Sequence, residues 1–211
     1  MFYATEIDRA LRFGDVLQGY PSSTPIIEEP ILVKSEAVYN VNVRFPQYTV
    51  VMDPCCEIRN KSISLTPLVD LPRPFFDNPY FAEDLTRINR KMEPQEAISP
   101  SIWERLAPEE KQKRLEVGRT YALLNLFVYE KHVLFPKYTL HRKDKEDVET
   151  NYCMIDFRNT YKLCCNKIIT PEDSPLESKM LQLSIGTRSE LREKLVNYYA
   201  NAPAEDKGLE D

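Results

Sequence analysis

Alternation of apolar and polar residues marks a strand in the first quarter of the chain. In "YNVNVRF", every second residue from Tyr39 to Phe45 is apolar and the residues between are polar. Side chains two positions apart share one face of a strand, so this segment predicts a half-buried strand. The next segment, Tyr48 to Met52, is apolar on both faces and predicts a central strand of a sheet.

Further strands are predicted on either side of this pair. A short strand is expected around Asp15 to Gln18, then an irregular connection from Gly19 to Pro30, and later a strand from Lys61 to Leu68. After Asn125, three segments with strand character follow, "KYTLHR", "NYCMIDFR" and "YKLCCNKI". The charged run from His141 to Glu149 predicts a solvated hairpin loop.

Residues 72–118 have a different pattern, with helix caps and charged runs in place of alternation. Ser101 and Glu104 have the spacing of a capping box, in which each side chain bonds the other residue's backbone N–H. Pro108 is placed to open a charged helix and Gly118 to end it. We therefore expect a helical insert over 72–118.

A second capping box predicts the last helix. Thr187 and Glu190 have its spacing, and apolar residues then recur on one helical face. We expect a C-terminal helix over 187–200. The short acidic segment 201–211 is expected to be frayed.

Composition narrows the class of protein. The chain has 211 residues, 42% of them hydrophobic, which suits a single domain over 1–211. A formal net charge of −5 disfavours a broad nucleic-acid surface. No apolar run is long enough to span a membrane, no secretory leader is evident, and five cysteines make an odd number. We expect a cytoplasmic protein without membrane contact.

The order of three segments is similar to that of a toxin family. Gly14-Asp15-Val16 opens the first strand, Thr49 to Asp53 is an apolar strand ending in a polar turn, and Ser64 to Leu68 closes on a Pro-Leu pair. This order resembles the MazF/PemK-like toxins. The resemblance covers roughly Phe13 to Leu71 plus Asn151 to Tyr199.

The resemblance implies both a fold and a function. The fold is α+β, a small, strongly bent SH3-like β-barrel with strands within 13–71 and 123–185, a helical insert and a C-terminal helix. "CCEI" also looks like the Cys-Asp-Ile/Leu of a group of uncharacterised bacterial proteins. The implied function is a bacterial conflict or defence-type binding or regulatory module. Its protein partner would bind the loop Gly19 to Pro30 and the insert, and its oligomeric state stays open.

A second possibility is an endoribonuclease. MazF-like enzymes are similar in using an arginine just before the second core strand and a threonine after the Pro-Leu strand. Arg44 is near the first position, whereas Val69 and Asp70 stand where the threonine would be. Arg44 would then bind the phosphate or the transition state, without a metal, and RNA would be the partner.

A third possibility is cysteine chemistry at Cys56. This residue follows a proline at a strand end, where a side chain can emerge into a cleft, and Glu57 is its neighbour. Its catalytic base would be His132 or His141. In the alternative interpretation, Cys56 packs inward as a small hydrophobic residue and Glu57 caps the turn.

The two adjacent cysteine pairs do not predict a zinc site. Neighbours on a strand point to opposite faces, so Cys55-Cys56 and Cys164-Cys165 each offer one ligand per site at most. We predict no metal and no cofactor.

Three aspartates at predicted strand ends are candidate ligand-binding residues, Asp15, Asp53 and Asp156. Carboxylates gathered at strand ends can bind a ligand or polarise a water. Aspartate is also a favoured turn residue, because its carboxylate accepts hydrogen bonds from nearby backbone. The turn role is the simpler interpretation, and both stay open at this point.

Overall fold

The computed structural model describes residues 1–26, 40–54, 58, 62–72, 75, 85–90, 96, 98–119, 123–140, 146–164 and 178–200. The chain forms two compact units. Unit 1 contains Met1–Ile7, Val69–Arg158 and Gln182–Asp211, and unit 2 contains Asp8–Leu68 and Asn159–Leu181. The single domain over 1–211 stays a prediction.

Eleven strands and three α-helices are described. In chain order the strands are β1 Val16–Gln18, β2 Ser22–Ile26, β3 Asn40–Arg44, β4 Tyr48–Val51, β5 Ser62–Asp70, β6 Leu126–Tyr129, β7 Tyr138–Leu140, β8 Val148–Thr150, β9 Cys153–Asp156, β10 Tyr161–Cys164 and β11 Lys179–Leu181. The helices are α1 Pro100–Arg105, α2 Pro108–Glu116 and α3 Ile185–Ala200, and 3₁₀ turns cover Leu85–Asn89 and Phe157–Asn159.

Unit 2 is built on an antiparallel sheet with the order β11-β1-β4-β5-β10. All four residues of β4 are buried, and Val50 lies opposite both Val16 of β1 and Thr66 of β5. The prediction of a central strand at this position is therefore confirmed. The core beneath it is aliphatic, comprising Leu11, Leu17, Val51, Ile58, Ile63 and Leu65.

A separate two-stranded antiparallel ribbon, β2–β3, changes two of the predictions. The connection predicted over Gly19 to Pro30 contains the strand β2, which pairs with β3 in the register Ser22↔Arg44 to Ile26↔Asn40. The prediction that β3 is half-buried is wrong, since all five of its residues are exposed. A period of two shows which side chains share a face, but it does not provide a layer that covers that face.

Unit 1 combines strands with all three helices. The last residues of β5 pair with β9, β9 pairs with β6, and β7–β8 forms its own hairpin, all antiparallel. Helices α1 and α2 and the turn Leu85–Asn89 share a core with β6, comprising Leu71, Phe75, Leu85, Ile88, Ile98, Trp103, Leu115, Leu123, Leu126 and Val128. Strand β8 begins inside the run His141 to Glu149, where a hairpin loop was predicted.

Two helices begin earlier than their predicted caps. Ser99 caps α1, because its Oγ accepts a hydrogen bond from the backbone N–H of Ile102 at 3.3 Å. Ser184 does the same for α3 by accepting from Thr187 N at 3.2 Å. The predicted start of α2 at Pro108 and its end near Gly118, which has φ +71°, are confirmed.

The fold is α+β, with a mostly antiparallel sheet and a C-terminal helix, and these parts of the prediction are confirmed. The described strands do not close into a barrel, so the SH3-like barrel is not confirmed. Part of the predicted insert 72–118 and the whole predicted tail 201–211 lie outside the described residues.

Candidate functional site

Asp15 lies in the core of unit 2, where it forms a buried ion pair. Its Oδ2 is 2.7 Å from Nζ of Lys179 on β11, and both side chains are fully buried. The same carboxylate oxygen accepts a hydrogen bond from Arg12 N at 2.7 Å. Lys179 also donates to the backbone carbonyls of Ala10, at 2.7 Å, and of Asp8, at 3.1 Å. These contacts of Lys179 connect β11 to the segment that precedes β1. Lys179 was not among the residues predicted from the sequence.

Asp53 and Asp156 each hold a turn at a strand end. Asp53 Oδ2 accepts from Ser64 N at 2.5 Å, across the connection between β4 and β5. Asp156 Oδ1 accepts from Asn125 Nδ2 at 2.8 Å and from Arg158 N at 3.0 Å. Burial raises the pKa of Asp156, but its hydrogen bonds and ion pair with Arg158 and the bond from Asn125 outweigh burial and lower that pKa overall. These are the backbone contacts expected of turn aspartates.

The cysteine candidates are only partly within the described residues. Cys56 and Glu57 lie outside them, as do Cys55, Cys165 and His141. Cys153 on β9 is buried, and burial, with the nearby Asp70 carboxylate, raises the pKa of its thiol to about 12. A thiol of this kind is a weak nucleophile, because the thiolate is the reactive form.

Two further residues considered for cysteine or metal chemistry lie within the described part of the chain. Cys164 is exposed at the end of β10. His132 packs its ring edge against Tyr3, with centroids 5.1 Å apart, and its Nδ1 accepts from Leu134 N at 3.2 Å. Within the described part of the chain, no group of three or more His, Cys, Asp or Glu side chains is placed to hold a metal ion.

Arg44 is the last residue of β3, and the ribbon holds it through its backbone. Its carbonyl lies opposite Ser22, whose Oγ is 3.5 Å away. Its side chain is exposed, and no described residue forms an ion pair or ring contact with its guanidinium. A guanidinium in this state is available to a carboxylate or phosphate from another molecule.

An apolar row of three residues accompanies Arg44, two of them on β3 and the third directly after it. Val41, Val43 and Phe45 are 57%, 51% and 80% exposed. Since they are two residues apart, Val41 and Val43 share one face of the ribbon, and Arg44 points to the other. Single exposed apolar residues are common, but two on one strand face with a third directly after the strand mark a candidate interaction surface.

The outer edge of β3 completes this surface. Among the described strands, β3 pairs only with β2. Half of its backbone N–H and C=O groups therefore face away from the ribbon, as a template for a further strand. We call the apolar row, Arg44 and this edge together the β3 surface.

Comparison with models of known protein families, with curated proteins and with solved structures finds no match to this chain. The resemblance to MazF/PemK-like toxins accordingly stays a prediction. No helix in the described ranges is both long enough and apolar enough to cross a membrane.

Proposed function

We propose that this chain is a protein-binding module that takes up an extended segment of its partner along the outer edge of β3. The observation that carries this proposal is the β3 surface, where an edge that pairs with no other described strand lies beside the exposed apolar row. Strand addition uses backbone hydrogen bonds for affinity and alternate side-chain contacts for specificity.

The chemistry of the surface indicates what the partner segment contains. Apolar residues at alternate positions would cover Val41 and Val43, and a carboxylate on the opposite face would pair with Arg44. A second copy of β3 fits this description less well. Antiparallel pairing of two β3 strands about Asn42 would place Arg44 opposite Asn40 and leave both guanidinium groups without an acid.

We also propose a setting for this module in bacterial conflict or defence. The support is the resemblance of Gly14-Asp15-Val16 and Ser64 to Leu68 to toxin segments, and these residues lie at β1 and in β5 of one sheet. On this proposal, the sheet of unit 2 is an open relative of the SH3-like barrel, and the ribbon is added to it.

The test uses two synthetic peptides and measures binding by fluorescence anisotropy. One peptide alternates valine and glutamate, and the other has the same composition with the valines in one block. We expect the alternating peptide to bind and the block peptide to bind at least tenfold more weakly. Arg44→Glu should weaken binding of the alternating valine–glutamate peptide at least about tenfold. It should strengthen binding of the corresponding valine–lysine peptide.

Controls separate the β3 surface from general charge. Arg9→Glu makes the same charge change at another exposed arginine of unit 2 and should leave binding unchanged. Equal binding of both peptides, or full binding by Val43→Asp, would contradict the proposal. Cleavage of RNA by the wild type that Arg44→Ala abolishes, without peptide binding, would establish the endoribonuclease alternative instead.

A further inference from the structure

The proline in β2 fixes which backbone groups of β3 face outward. In the ribbon, Pro25 lies opposite Val41, and the register runs without a shift on both sides of this pair. Opposite residues of an antiparallel pair alternate between positions that exchange two backbone hydrogen bonds and positions that exchange none. Because proline has no backbone N–H, the position of Pro25 and Val41 is one without hydrogen bonds.

The same alternation applies along the whole of β3. Asn40, Asn42 and Arg44 direct their backbone N–H and C=O groups toward β2, whereas Val41 and Val43 direct theirs to the outer edge. These two valines also carry the exposed apolar side chains of β3. The outward backbone groups and the apolar face therefore belong to the same two residues.

The outer edge of β2 is less suited to accept a strand. Ser23 and Pro25 are the residues of β2 whose backbone faces away from β3, and of these two only Ser23 has an N–H. Proline on an edge strand is a common protection against the addition of a further strand. The sequence of β2 therefore directs strand addition to the outer edge of β3.

An incoming strand can use the outward groups of β3 in two orientations. In the antiparallel orientation, two alternate partner residues lie opposite Val41 and Val43, and each exchanges two hydrogen bonds with its valine. Their side chains then lie on the apolar face. In the parallel orientation, slanted bonds spread over a longer partner segment, and the bonded partner residues have their side chains on the face of Arg44. The antiparallel orientation satisfies every outward group of the two valines with the shorter segment, and antiparallel pairing is slightly more stable per residue.

We propose that the bound segment lies antiparallel to β3 and has the order acid, apolar, any residue, apolar from its N-terminus to its C-terminus. The apolar residues lie opposite Val43 and Val41 and donate their backbone N–H groups to β3, and the acid lies opposite Arg44. Proline is excluded from both apolar positions and accepted between them, where the N–H faces away from β3. The inference rests on the strand addition proposed above and specifies the class of partner sequence.

The test places N-methyl groups on the alternating valine–glutamate peptide, because each one removes a backbone donor without changing a side chain. One peptide is methylated on its valines, and its isomer is methylated on the same number of glutamates. Fluorescence anisotropy should show at least about tenfold weaker binding for the N-methylvaline peptide, and binding within about twofold of the parent peptide for the N-methylglutamate isomer. Parallel binding would give the reverse order, because the glutamate N–H groups would then face β3.

A matched pair of proline variants tests the same bonds from the side of the protein. Val43→Pro removes an outward N–H of β3 and leaves the bonds of the ribbon in place, so binding of the parent peptide should weaken at least about tenfold. Ser23→Pro makes the same backbone change at the residue opposite, on the outer edge of β2, and should bind the peptide as the wild type does. Val43→Ala keeps the N–H and has a smaller apolar side chain than proline, and it should weaken binding less than Val43→Pro.

The outcomes separate this inference from the function on which it rests. If the parent peptide binds but the two N-methyl isomers bind equally or in the reverse order, the antiparallel assignment is overturned and the peptide-binding function stands. Full binding of the parent peptide by Val43→Pro would also overturn the assignment. Absence of binding by the parent peptide would overturn both the assignment and the proposed function.

Discussion

Among the described residues, each compact unit contains one buried lysine, and the two lysines have opposite surroundings. Lys179 in unit 2 is 4% exposed and Lys194 in unit 1 is 3% exposed. Lys179 reaches the carboxylate of Asp15 and two backbone carbonyls within 3.1 Å. Lys194 has none of these partners among the described residues, and burial alone lowers its pKa to about 7.

The contrast shows that burial by itself does not define a functional lysine. An ammonium group that is surrounded by acceptors is a structural connection, because its charge is compensated where it lies. An ammonium group buried without acceptors opposes folding, and such groups cluster at sites of binding or catalysis. The comparison therefore gives Lys179 a structural role and marks Lys194 as a buried cation that opposes folding.

The largest expected effect comes from breaking the compensated pair. Lys179→Met leaves the Asp15 carboxylate buried without its cation, and we expect a loss of about 3–5 kcal/mol in the free energy of unfolding. Urea denaturation followed by circular dichroism measures it. Lys162→Met, at an exposed lysine of β10, should change this free energy by less than about 0.5 kcal/mol.

A double variant separates the net contribution of the ion pair to stability from the cost of leaving one buried charge without its partner. Replacing both partners by apolar residues, as in Lys179→Met with Asp15→Leu, should recover much of the lost stability, since no buried charge then remains. If Lys179→Met alone costs less than about 1 kcal/mol, Asp15 is compensated in another way and the contrast between the two lysines fails.

The second effect has the opposite sign. Lys194→Met keeps the length of the stem and removes the uncompensated ammonium group, so we expect a stabilisation on the order of 3 kcal/mol near pH 6.5. Such a variant would therefore be more stable than the wild type. A destabilised Lys194→Met protein would show that Lys194 has a partner.

The dependence on pH identifies the source of this stabilisation. The pKa of Lys194 is about 7 in the folded protein and 10.5 in the unfolded chain, so the unfolded chain holds more protons between these values. Wild-type stability should therefore rise with pH above 7, by up to about 1.4 kcal/mol per pH unit from this residue. Lys194→Met lacks that rise, so its advantage should shrink between pH 7 and pH 9. For Lys113→Met, at an exposed lysine of α2, the difference in free energy of unfolding from the wild type should not change with pH.

The smallest effect on the free energy of unfolding is expected for the ion pair of Asp156 and Arg158, which is partly exposed to solvent. Asp156 is mostly buried, but Arg158 has 65% of its side chain exposed, so solvent screens their ion pair. Asp156→Asn should cost about 1 kcal/mol at neutral pH. Because the folded pKa of Asp156 is lowered, its contribution is present above about pH 4 and is lost as the pH falls through the folded pKa. The wild type and Asp156→Asn should therefore approach equal stability in acid, and a constant difference would contradict this assignment.

Local sequence patterns were sufficient for several elements of this protein. The apolar run from Tyr48 predicts a buried central strand, and Pro108 with Gly118 predicts the bounds of α2, because a strand's faces and a helix's ends are set by neighbouring residues. The α+β class and the C-terminal helix follow from the same kind of signal. The start of that helix was misplaced because Ser184 and Thr187 are both acceptable caps.

Tertiary structure alone decided which charged residues meet and which strands are covered. Nothing near Asp15 in the sequence indicates Lys179, and the polar position of Lys194 between Leu191 and Tyr198 is a signal only once that helix face is known to be buried. The alternation in β3 is the same whether its apolar face is packed or open. Periodicity is a property of one segment, whereas burial and charge compensation depend on what the rest of the chain brings beside it.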